Sequence, residues 1–434
     1  MHLSVRQRWG LFFLILVAIF YLSFFISDNP PKNNVTEIYF ADRISAAHKI
    51  LIDKYNKLNE GKIKVIPIDF PNFDFSTDER KELLARSLIG RGEGIDIFAV
   101  DLIWVQRFAK WSEPLDQYFS FEERSRILGS ALESCYYDKK LVAMPLNMVQ
   151  GIMYYREDLL KKHKNSVEII KKIKRGITWE EFIRLSKTFN SRNPYFIFPG
   201  SNYEGFICFF MELLLSQDRD YFQKYNFNFN TPEAEKALQF LTDLVNKYKV
   251  SPKEVAMFTE VTSYEYFIKN DGLFIRGWPS YDKDFKETPF DPGKESQLKK
   301  APLPYFKNSI PTSVFGGWNM MISKFSNKKE QAIDFVKFLL KDESQEIFYT
   351  ESGYYPVINS FYNKPEYLKK YPEIGNFKDF MKSGVHRPAN INYTKYSKIM
   401  SFYFNAAILR ELSVKKALKE CSETIRTDVM TKEF

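Results

Sequence analysis

Histidine and cysteine are scarce in this sequence. Only four histidines occur in 434 residues, and no two of them have the spacing of metal ligands, which argues against a zinc site. Three cysteines allow one disulfide at most, and Cys208 lies in the apolar run FICFFMELLL, which favours a packed thiol over half of a bridge. The sequence therefore predicts neither a metal centre nor a fold held together by disulfides.

The motifs of common enzyme classes are also missing. The chain has no nucleophile elbow, no P-loop, no dinucleotide fingerprint and no zinc motif. GRGEG at 90–94 has the glycines of a phosphate loop, but it precedes a predicted strand rather than a helix, which favours a helix end and a turn. We therefore expect no catalytic residues, no metal and no cofactor.

The net charge is +9, and its densest basic run lies at 161–175. Such a run can bind nucleic acid, but no nucleic-acid motif accompanies it, so a solvated helical face is the better interpretation. We expect no nucleic-acid partner. The residues of the run are Lys161, Lys162, Lys164, Lys171, Lys172, Lys174 and Arg175.

The N-terminus carries a charge-free apolar run at 10–26, preceded by Arg6 and Arg8. Its length suits a short membrane helix, and the bulky residues at its end fit a cleavage site poorly. We expect a signal-anchor helix at 1–27 and a short linker at 28–35, with a cleaved signal peptide as the alternative. The positive flank places the body outside the cytoplasmic membrane.

Strand and helix patterns alternate through the first part of the body. Apolar strands are predicted at 37–40, 63–70 and 95–100, with helical spacing at 44–58 and 78–89 between them. This alternation is typical of an α/β fold with a largely parallel, two-sided sheet. Two further helices have clear N-termini, because Thr178 with Glu181 forms a capping box and Thr231 precedes a proline.

Eight sequence landmarks then follow one another in a recognisable order. The chain resembles the extracellular solute-binding proteins of ABC sugar importers, in the trehalose- and maltose-type branch, over about 36–430. A single motif would be weak evidence, whereas the ordered set is specific. The landmarks are GIDIFAVDLIWVQRFAKWSEPLDQYF, MPLNMVQGIMYYREDLLKKH, ITWEEF, SNYEGF, GLFIRGWPSY, FGGWNMMISKFSNKKEQAIDFVKFLL, ESGYYPV and HRPANINYTKYS.

The resemblance implies a bilobal periplasmic-binding-protein fold, in which two α/β lobes enclose a ligand cleft and close by a hinge motion. It implies a monomer that binds a disaccharide or short oligosaccharide and delivers it to membrane-embedded ABC permease subunits. We expect lobe I to comprise 36–144 and 279–343. Lobe II is then expected to comprise 145–278 and 344–434.

Aromatic residues are the first candidates for sugar contact, because sugar rings have apolar faces. Trp278 follows a predicted strand, and its alternative role is structural, under the hinge. Trp318 follows Gly316 and Gly317, which expose backbone either at the cleft or in a tight turn beside a core tryptophan. Tyr203 belongs to the SNYEGF motif that the resemblance places at the ligand.

Three carboxylates are candidates for accepting sugar hydroxyls. Glu204 lies between a tyrosine and a glycine, and its alternative role is a charge at a helix start. Asp78 is alternatively a helix cap, and Asp101 a buried turn-former. The assignment of Asp78 and Asp101 to ligand binding rests on the resemblance.

Two amides and one arginine complete the candidate site. Asn147 and Gln150 can donate and accept hydrogen bonds, or they can cap backbone groups. Arg387 is held extended by the following proline, and the resemblance directs it into the cleft; otherwise it is a solvated loop charge. We expect affinity to depend on Trp278, Glu204 and Arg387 together.

Two departures from the family pattern leave the sugar open. The stretch FADRISAAHK has no glycine where relatives have a glycine-rich loop, and Asn147 stands where many carry aspartate. Two other functions also remain open. One is a sugar receptor for a signalling partner, and the other is a glycoside hydrolase that uses a carboxylate pair such as Asp101 and Glu204.

Overall fold

The computed structural model describes residues 35–70, 77–90, 94–189, 193–284 and 292–427. The predicted signal-anchor helix at 1–27 and nearly all of the linker at 28–35 lie outside these residues. Within the described ranges, every helix is too short or too polar to cross a membrane.

Twelve strands form two larger sheets and one hairpin within the described residues. The first sheet has the order β12–β11–β3–β1–β2, and its sixth strand, β6, also pairs with β11. Strand β1 runs parallel to both β2 and β3. The strands are β1 (Thr36–Asp42), β2 (Ile63–Asp69), β3 (Ile97–Asp101), β4 (Tyr136–Tyr137), β5 (Lys140–Leu141), β6 (Met144–Gln150), β7 (Ile152–Arg156), β8 (Phe196–Ile197), β9 (Phe274–Gly277), β10 (Leu298–Ala301), β11 (Ser313–Ile322) and β12 (Gly384–Val385).

The second sheet has the order β10–β7–β9–β8. All five residues of β7 and all four of β9 are buried, so apolar elements cover both faces of this sheet. We call the unit around the first sheet lobe I and the unit around the second sheet lobe II. The bilobal α/β fold predicted from the sequence is confirmed.

The helices flank the two sheets. Ala46–Leu58 packs on β2, and Lys329–Leu339 packs on β1 and β11, whereas Tyr393–Ile408 packs on Glu204–Gln217 in lobe II. The remaining helices are Thr77–Ile89, Val105–Phe108, Phe121–Ser125, Gly129–Glu133, Glu157–Lys161, Ser166–Arg175, Trp179–Ser186, Tyr221–Tyr225, Pro232–Asn246, Glu260–Lys269, Tyr281–Asp284, Pro292–Glu295, Asp342–Ser352, Asn359–Asn363, Pro365–Lys370, Pro372–Met381 and Val414–Thr427.

Both predicted helix starts are confirmed. The Thr178 hydroxyl accepts the backbone N–H of Glu181, and the Glu181 carboxylate accepts the backbone N–H of Thr178, which satisfies two otherwise free donors. Thr231 accepts the N–H of Ala234 ahead of a proline in the first turn. These local signals hold because they need no tertiary contacts.

The chain passes between the sheets at three places. One residue, Gly151, separates β6 in lobe I from β7 in lobe II. The chain returns between β10 and β11, and it leaves lobe I a second time after β12.

Sheet membership departs from the predicted lobe ranges at two points. β10 pairs with β7 in lobe II, although the predicted range 279–343 belongs to lobe I, and its sequence LKKA has little apolar signal because it is an edge strand. The helix Asp342–Ser352 packs on Ala46–Leu58, and β12 pairs with β11, so 344–385 groups with lobe I rather than lobe II.

Candidate ligand-binding cleft

A cavity of about 410 Å³ lies between residues of the two lobes. Eight of the ten predicted site residues line it, together with residues that the sequence did not single out. The predicted lining residues are Asp101, Asn147, Tyr203, Glu204, Trp278, Gly317, Trp318 and Arg387. The additional residues include Asp42, Arg43, Arg80, Gly205, Cys208, Thr259, Glu260, Thr262, Tyr281 and Tyr354.

Two predicted site residues remain, Gln150 and Asp78. Gln150 is fully buried, does not line the cavity, and donates from Nε2 to the carbonyl of Phe380 at 3.2 Å. It therefore bonds to a backbone group of lobe I, in line with its alternative interpretation as a cap of backbone groups. Asp78 is the second residue of the helix Thr77–Ile89, and its side chain lies outside what the structure describes.

Arg387 joins the two lobes with two ion pairs. Its guanidinium donates to the Glu204 carboxylate at 2.6 Å and to the Asp101 carboxylate at 2.7 Å. Arg387 is only 3% exposed, so these charge-assisted bonds lie away from bulk water. Asp101 also accepts the N–H of Ile103 at 3.0 Å. The interpretation of Arg387 as a solvated loop charge is wrong.

The Glu204 carboxylate accepts hydrogen bonds from several protein groups. Besides Arg387, its oxygens accept the hydroxyl of Tyr393 at 2.8 Å and the hydroxyl of Ser397. Burial raises the pKa of the Glu204 carboxyl, and the nearby Arg387 charge opposes that shift. Glu204 is also the first residue of the helix Glu204–Gln217, where the helix dipole favours an anion. The carboxylate therefore orients Arg387 rather than lying free for two sugar hydroxyls.

The two consecutive glycines lie inside strand β11, not in a tight turn. Gly317 has φ +137°, and a β-carbon there would lie 2.4 Å from the Asn147 carbonyl oxygen. A β-carbon at Gly316 would lie 3.0 Å from the Trp278 ring. The glycines thus let β6 and the indole of Trp278 approach the β11 backbone closely.

Trp318 is partly exposed in the lobe I wall of the cavity. The ring of Trp104 meets it edge to face at 6.0 Å, and the guanidinium of Arg80 lies 4.5 Å from its ring centroid. Arg80 is 7% exposed, and its Nε has no hydrogen-bond partner among the described residues. Sequence reasoning missed Arg80, because an arginine in the helix TDERKELLARSLI has the pattern of a surface charge.

Trp278 lies in the lobe II wall, directly after β9. Its carbonyl accepts the hydroxyl of Tyr154 at 2.9 Å, and the guanidinium of Arg276 lies 4.3 Å from its ring centroid. Arg276 is in turn paired with Glu212 at 2.9 Å, and both side chains are almost fully buried. The ion pair therefore fixes the Arg276 guanidinium against the Trp278 ring as a cation–π contact.

Asn147 and Glu260 add polar groups on opposite walls. The Nδ2 of Asn147 is buried without a hydrogen-bond partner among the described residues, so it has donors to offer a ligand. Glu260 begins the helix Glu260–Lys269, and burial raises the pKa of its carboxyl. A β-carbon at Gly205 would lie 2.3 Å from the Tyr203 hydroxyl and 2.4 Å from Glu260, so this glycine makes room for both.

Asp42 and Arg43 come from the stretch FADRISAAHK, and both line the cavity. They occupy the position of the glycine-rich loop whose absence the sequence revealed. Asp42 ends β1 beside the end of β3, where Asp101 lies, because parallel strands bring their carboxyl ends to one edge. That placement is the signal that could have identified Asp42.

The cysteines of the described chain bear on the chemistry of the cavity. Cys135, Cys208 and Cys421 are buried free thiols, and Cys208 lines the cavity beside Glu204, as the packed-thiol interpretation predicts. Among the described residues, no three or more histidine, cysteine, aspartate or glutamate side chains are arranged to hold a metal ion.

Comparisons with known proteins agree with this architecture. The family described as bacterial extracellular solute-binding protein matches residues 39–346. A Deinococcus radiodurans protein named probable ABC transporter-binding protein is 26% identical over 351 residues, which cover 79% of this chain and 80% of that protein.

Solved structures of similar fold cover nearly the whole described chain. The maltose-bound MalE3 of T. maritima has a TM-score of 0.78 and 24% identity, covering 91% of this chain and all of that one. A Thermotoga lettingae ABC transporter solute-binding protein with bound α-D-tagatose has a TM-score of 0.76 and 22% identity, covering 91% and 99% of the two chains. The chain belongs to the bacterial extracellular solute-binding protein family.

Proposed function

We propose that this chain captures a carbohydrate in the interlobe cleft and delivers it to the permease of an ABC transporter. The observation that carries the proposal is a pair of tryptophans from opposite lobes, Trp278 and Trp318, at one cavity that also holds the unpartnered amide of Asn147. Flat aromatic faces with a few fixed polar groups suit the two-faced character of a sugar ring. The bound sugars of the solved relatives support the same class of ligand.

The proposed roles divide between contact and orientation. Trp278 and Trp318 stack on sugar faces, and Asn147 donates to a hydroxyl oxygen. Tyr203 and Gly317 shape the two walls, as supported by the close approaches at Gly205 and at Gly317. Asp101 and Glu204 hold Arg387 in place. Because Arg387 bonds to one residue of each lobe, it couples ligand binding to the relative position of the lobes.

The proposed setting is outside the cytoplasmic membrane. Family membership supports an extracytoplasmic location. The tether through a helix at 1–27, the monomeric state and the permease subunits as partners complete the proposal. A sugar receptor that signals through the same anchor differs from it only in the partner.

A glycoside hydrolase remains the competing function. Its acid and base would be Asp101 and Glu204, but one guanidinium bonds to both carboxylates, which disfavours the free carboxylic acid that the mechanism needs. Relatives by family are binding proteins, which also favours capture without turnover.

The test is a thermal-shift and calorimetry screen of the full chain against mono-, di- and trisaccharides, with chromatography of the recovered sugar. We expect a saturable rise in melting temperature with at least one sugar and no turnover, because a ligand that binds only the folded state stabilises it. Turnover would identify an enzyme. Absence of any shift across the panel would overturn carbohydrate as the ligand class.

A matched pair of variants assigns the binding to the cleft. Trp278→Ala should weaken the sugar at least tenfold, whereas Tyr225→Ala, an exposed aromatic on lobe II outside the cavity, should leave affinity unchanged. Equal loss in both variants would place the ligand elsewhere.

A further inference from the structure

Three buried arginines lie in or directly behind the walls of the cavity, and they differ in their partners. Two carboxylates hold Arg387 at 2.6 and 2.7 Å. One carboxylate holds Arg276 at 2.9 Å, behind the ring of Trp278. Arg80 is the third, and in the described part of the chain carboxylates act on it through their charge alone, without a hydrogen bond. Arg80 therefore lacks the ion pair that the other two have.

The electrostatics of the three guanidinium groups differ in the same way. Burial lowers the pKa of each, but at Arg276 and Arg387 the paired carboxylates reverse the shift and raise the pKa. At Arg80 the effect of burial prevails, since the charge of Asp42 opposes it and the charge of Arg43 adds to it. A cation that is taken out of water without a close partner is costly to the protein. The described residues thus leave the counter-charge of Arg80 incomplete.

Arg80 belongs to a patch of donors in the lobe I wall. Its Nε has no hydrogen-bond partner among the described residues, and its guanidinium lies 4.5 Å from the ring centroid of Trp318. In the sheet, Trp318 of β11 is paired with Asn147 of β6, whose Nδ2 also lacks a described partner. These nitrogens can only donate, and all three residues line the cavity. Donors beside a positive charge suit the oxygens of an anion.

The other charges of the lobe I wall leave this patch positive. Asp42 lies beside the positive charge of Arg43, whose backbone N–H it accepts at 2.7 Å. Asp101 accepts a bond from Arg387 at 2.7 Å. Both glutamates of the cavity begin helices of lobe II. Arg80 is therefore the cation that remains to be balanced in the lobe I wall.

We propose that the carbohydrate bound in this cleft is acidic, and that Arg80 binds its carboxylate or phosphate group beside Trp318. The proposal rests on carbohydrate binding and narrows the ligand to saccharides that carry a negative charge. A neutral sugar supplies acceptor oxygens, whereas an anionic group supplies acceptors and the missing counter-charge together. Asn147 donates to the same group. Arg80 is thus the residue that determines specificity for an acidic sugar.

The first measurement compares sugars that differ in one charged group. Glucuronate is paired with glucose, digalacturonate with its neutral dimethyl ester, and trehalose 6-phosphate with trehalose. Calorimetry of each with the full chain should give the anionic member of at least one pair an affinity about tenfold higher or more. The first two pairs report on a carboxylate, and the third reports on a phosphate.

The outcomes of this panel separate the two proposals. If a neutral sugar binds and no anionic member binds more tightly than its partner, the acidic ligand is overturned and carbohydrate capture stands. If no saccharide binds, neutral or acidic, both proposals fail.

Matched arginine variants assign the preference to the patch. Arg80→Gln should reduce the affinity for the anionic sugar to that for its neutral partner, whereas Arg80→Lys, which keeps the charge, should retain part of the preference. Arg86→Gln alters an exposed arginine of the same helix, outside the cavity, and should leave the preference intact. A preference that survives in Arg80→Gln would overturn the role of Arg80.

The stability of the unliganded chain gives an independent measurement. Arg80→Gln should melt no lower than the original chain, because it removes a buried charge that has no close partner. A pronounced fall in melting temperature would show that the protein itself supplies the counter-charge, which would overturn the argument. The sugar pairs require no variant, so they decide the class of ligand even if Arg80→Gln fails to fold.

Discussion

The two walls of the cleft are built from different structural elements. Lobe I presents the carboxyl ends of parallel strands, which carry Asp42 and Asp101. Lobe II presents the N-termini of two helices, and each begins with a glutamate, Glu204 or Glu260. Strand ends gather polar side chains at one edge, whereas helix starts supply a favourable field for an anion. The same chemical group is thus placed at a strand end in one wall and at a helix start in the other.

Arg387 is the residue that makes the two walls depend on each other. Arg387→Met should destabilise the fold by about 3 to 5 kcal/mol, because it leaves Glu204 buried without its cation. Urea unfolding with and without sugar measures the loss. Arg126→Met removes a surface ion pair to Asp342 at 3.0 Å and should cost about 1 kcal/mol at most. Similar losses in the two variants would mean that the lobes do not rely on Arg387.

Glycine substitutions compare a position in the lobe I wall that is crowded by backbone atoms with one in the lobe II wall that is crowded by side-chain atoms. Gly317→Ala should cost about 2 to 4 kcal/mol, because its φ is +137° and the clashing atom is a backbone oxygen. Gly205→Ala meets only the ends of the Tyr203 and Glu260 side chains, which can rotate away. We expect it to cost less stability and to weaken the sugar instead, as unfolding and calorimetry together would reveal. The reverse ranking would contradict the comparison.

Loss of Trp278 should mainly reduce affinity, whereas loss of Trp318 should mainly reduce stability. Trp278→Ala should cost about 1.5 to 3 kcal/mol of binding free energy, tenfold or more in affinity, with little loss of stability. Trp318→Ala should lose less affinity and more stability, because its ring also packs on Trp104. Affinity from calorimetry and melting temperature from the same samples separate the two effects. Trp278→Phe, which keeps a flat ring, should recover part of the affinity.

The pH dependence of stability gives the smallest and most specific test. His48 has a folded pKa of about 3, below its unfolded value of 6.5, so its contribution is lost as pH falls through that window. Asp42 has a folded pKa of about 7, above 3.8, so its contribution is lost as pH rises. The two slopes oppose each other between about pH 4 and 6.5.

Single variants should expose these slopes with opposite signs. Relative to the original chain, Asp42→Asn should make stability rise more with pH and His48→Gln should make it fall more, each by about 1.4 kcal/mol per pH unit at most. Urea midpoints at pH 4.5, 5.5 and 6.5 provide the measurement, with the original chain as the reference. Slopes of the same sign in both variants would show that other groups dominate.

Sequence reasoning reached the fold and much of the site because both depend on local signals. Alternating strands and helices predicted the α/β fold, and motif order placed Trp278, Trp318 and Arg387. It missed Arg80, because a charged residue in an amphipathic helix becomes a cavity residue only through the position of the whole helix. Glu260 lay unnoticed for the same reason. β10 was assigned to the other lobe because an edge strand with two lysines has no apolar signature.

Gly151 has a mechanical consequence. It joins β6 to β7, and its N–H donates to the carbonyl of Val314 at 3.2 Å while its own carbonyl accepts the hydroxyl of Ser313. The crossing at Gly151 and the crossing that leads into β11 therefore run side by side as a short ribbon joined by hydrogen bonds. Such a ribbon flexes readily about an axis across its width but resists sliding and stretching, since those motions break its cross-links. We therefore expect the lobes to move mainly by a hinge rotation that opens and closes the space between the two tryptophans.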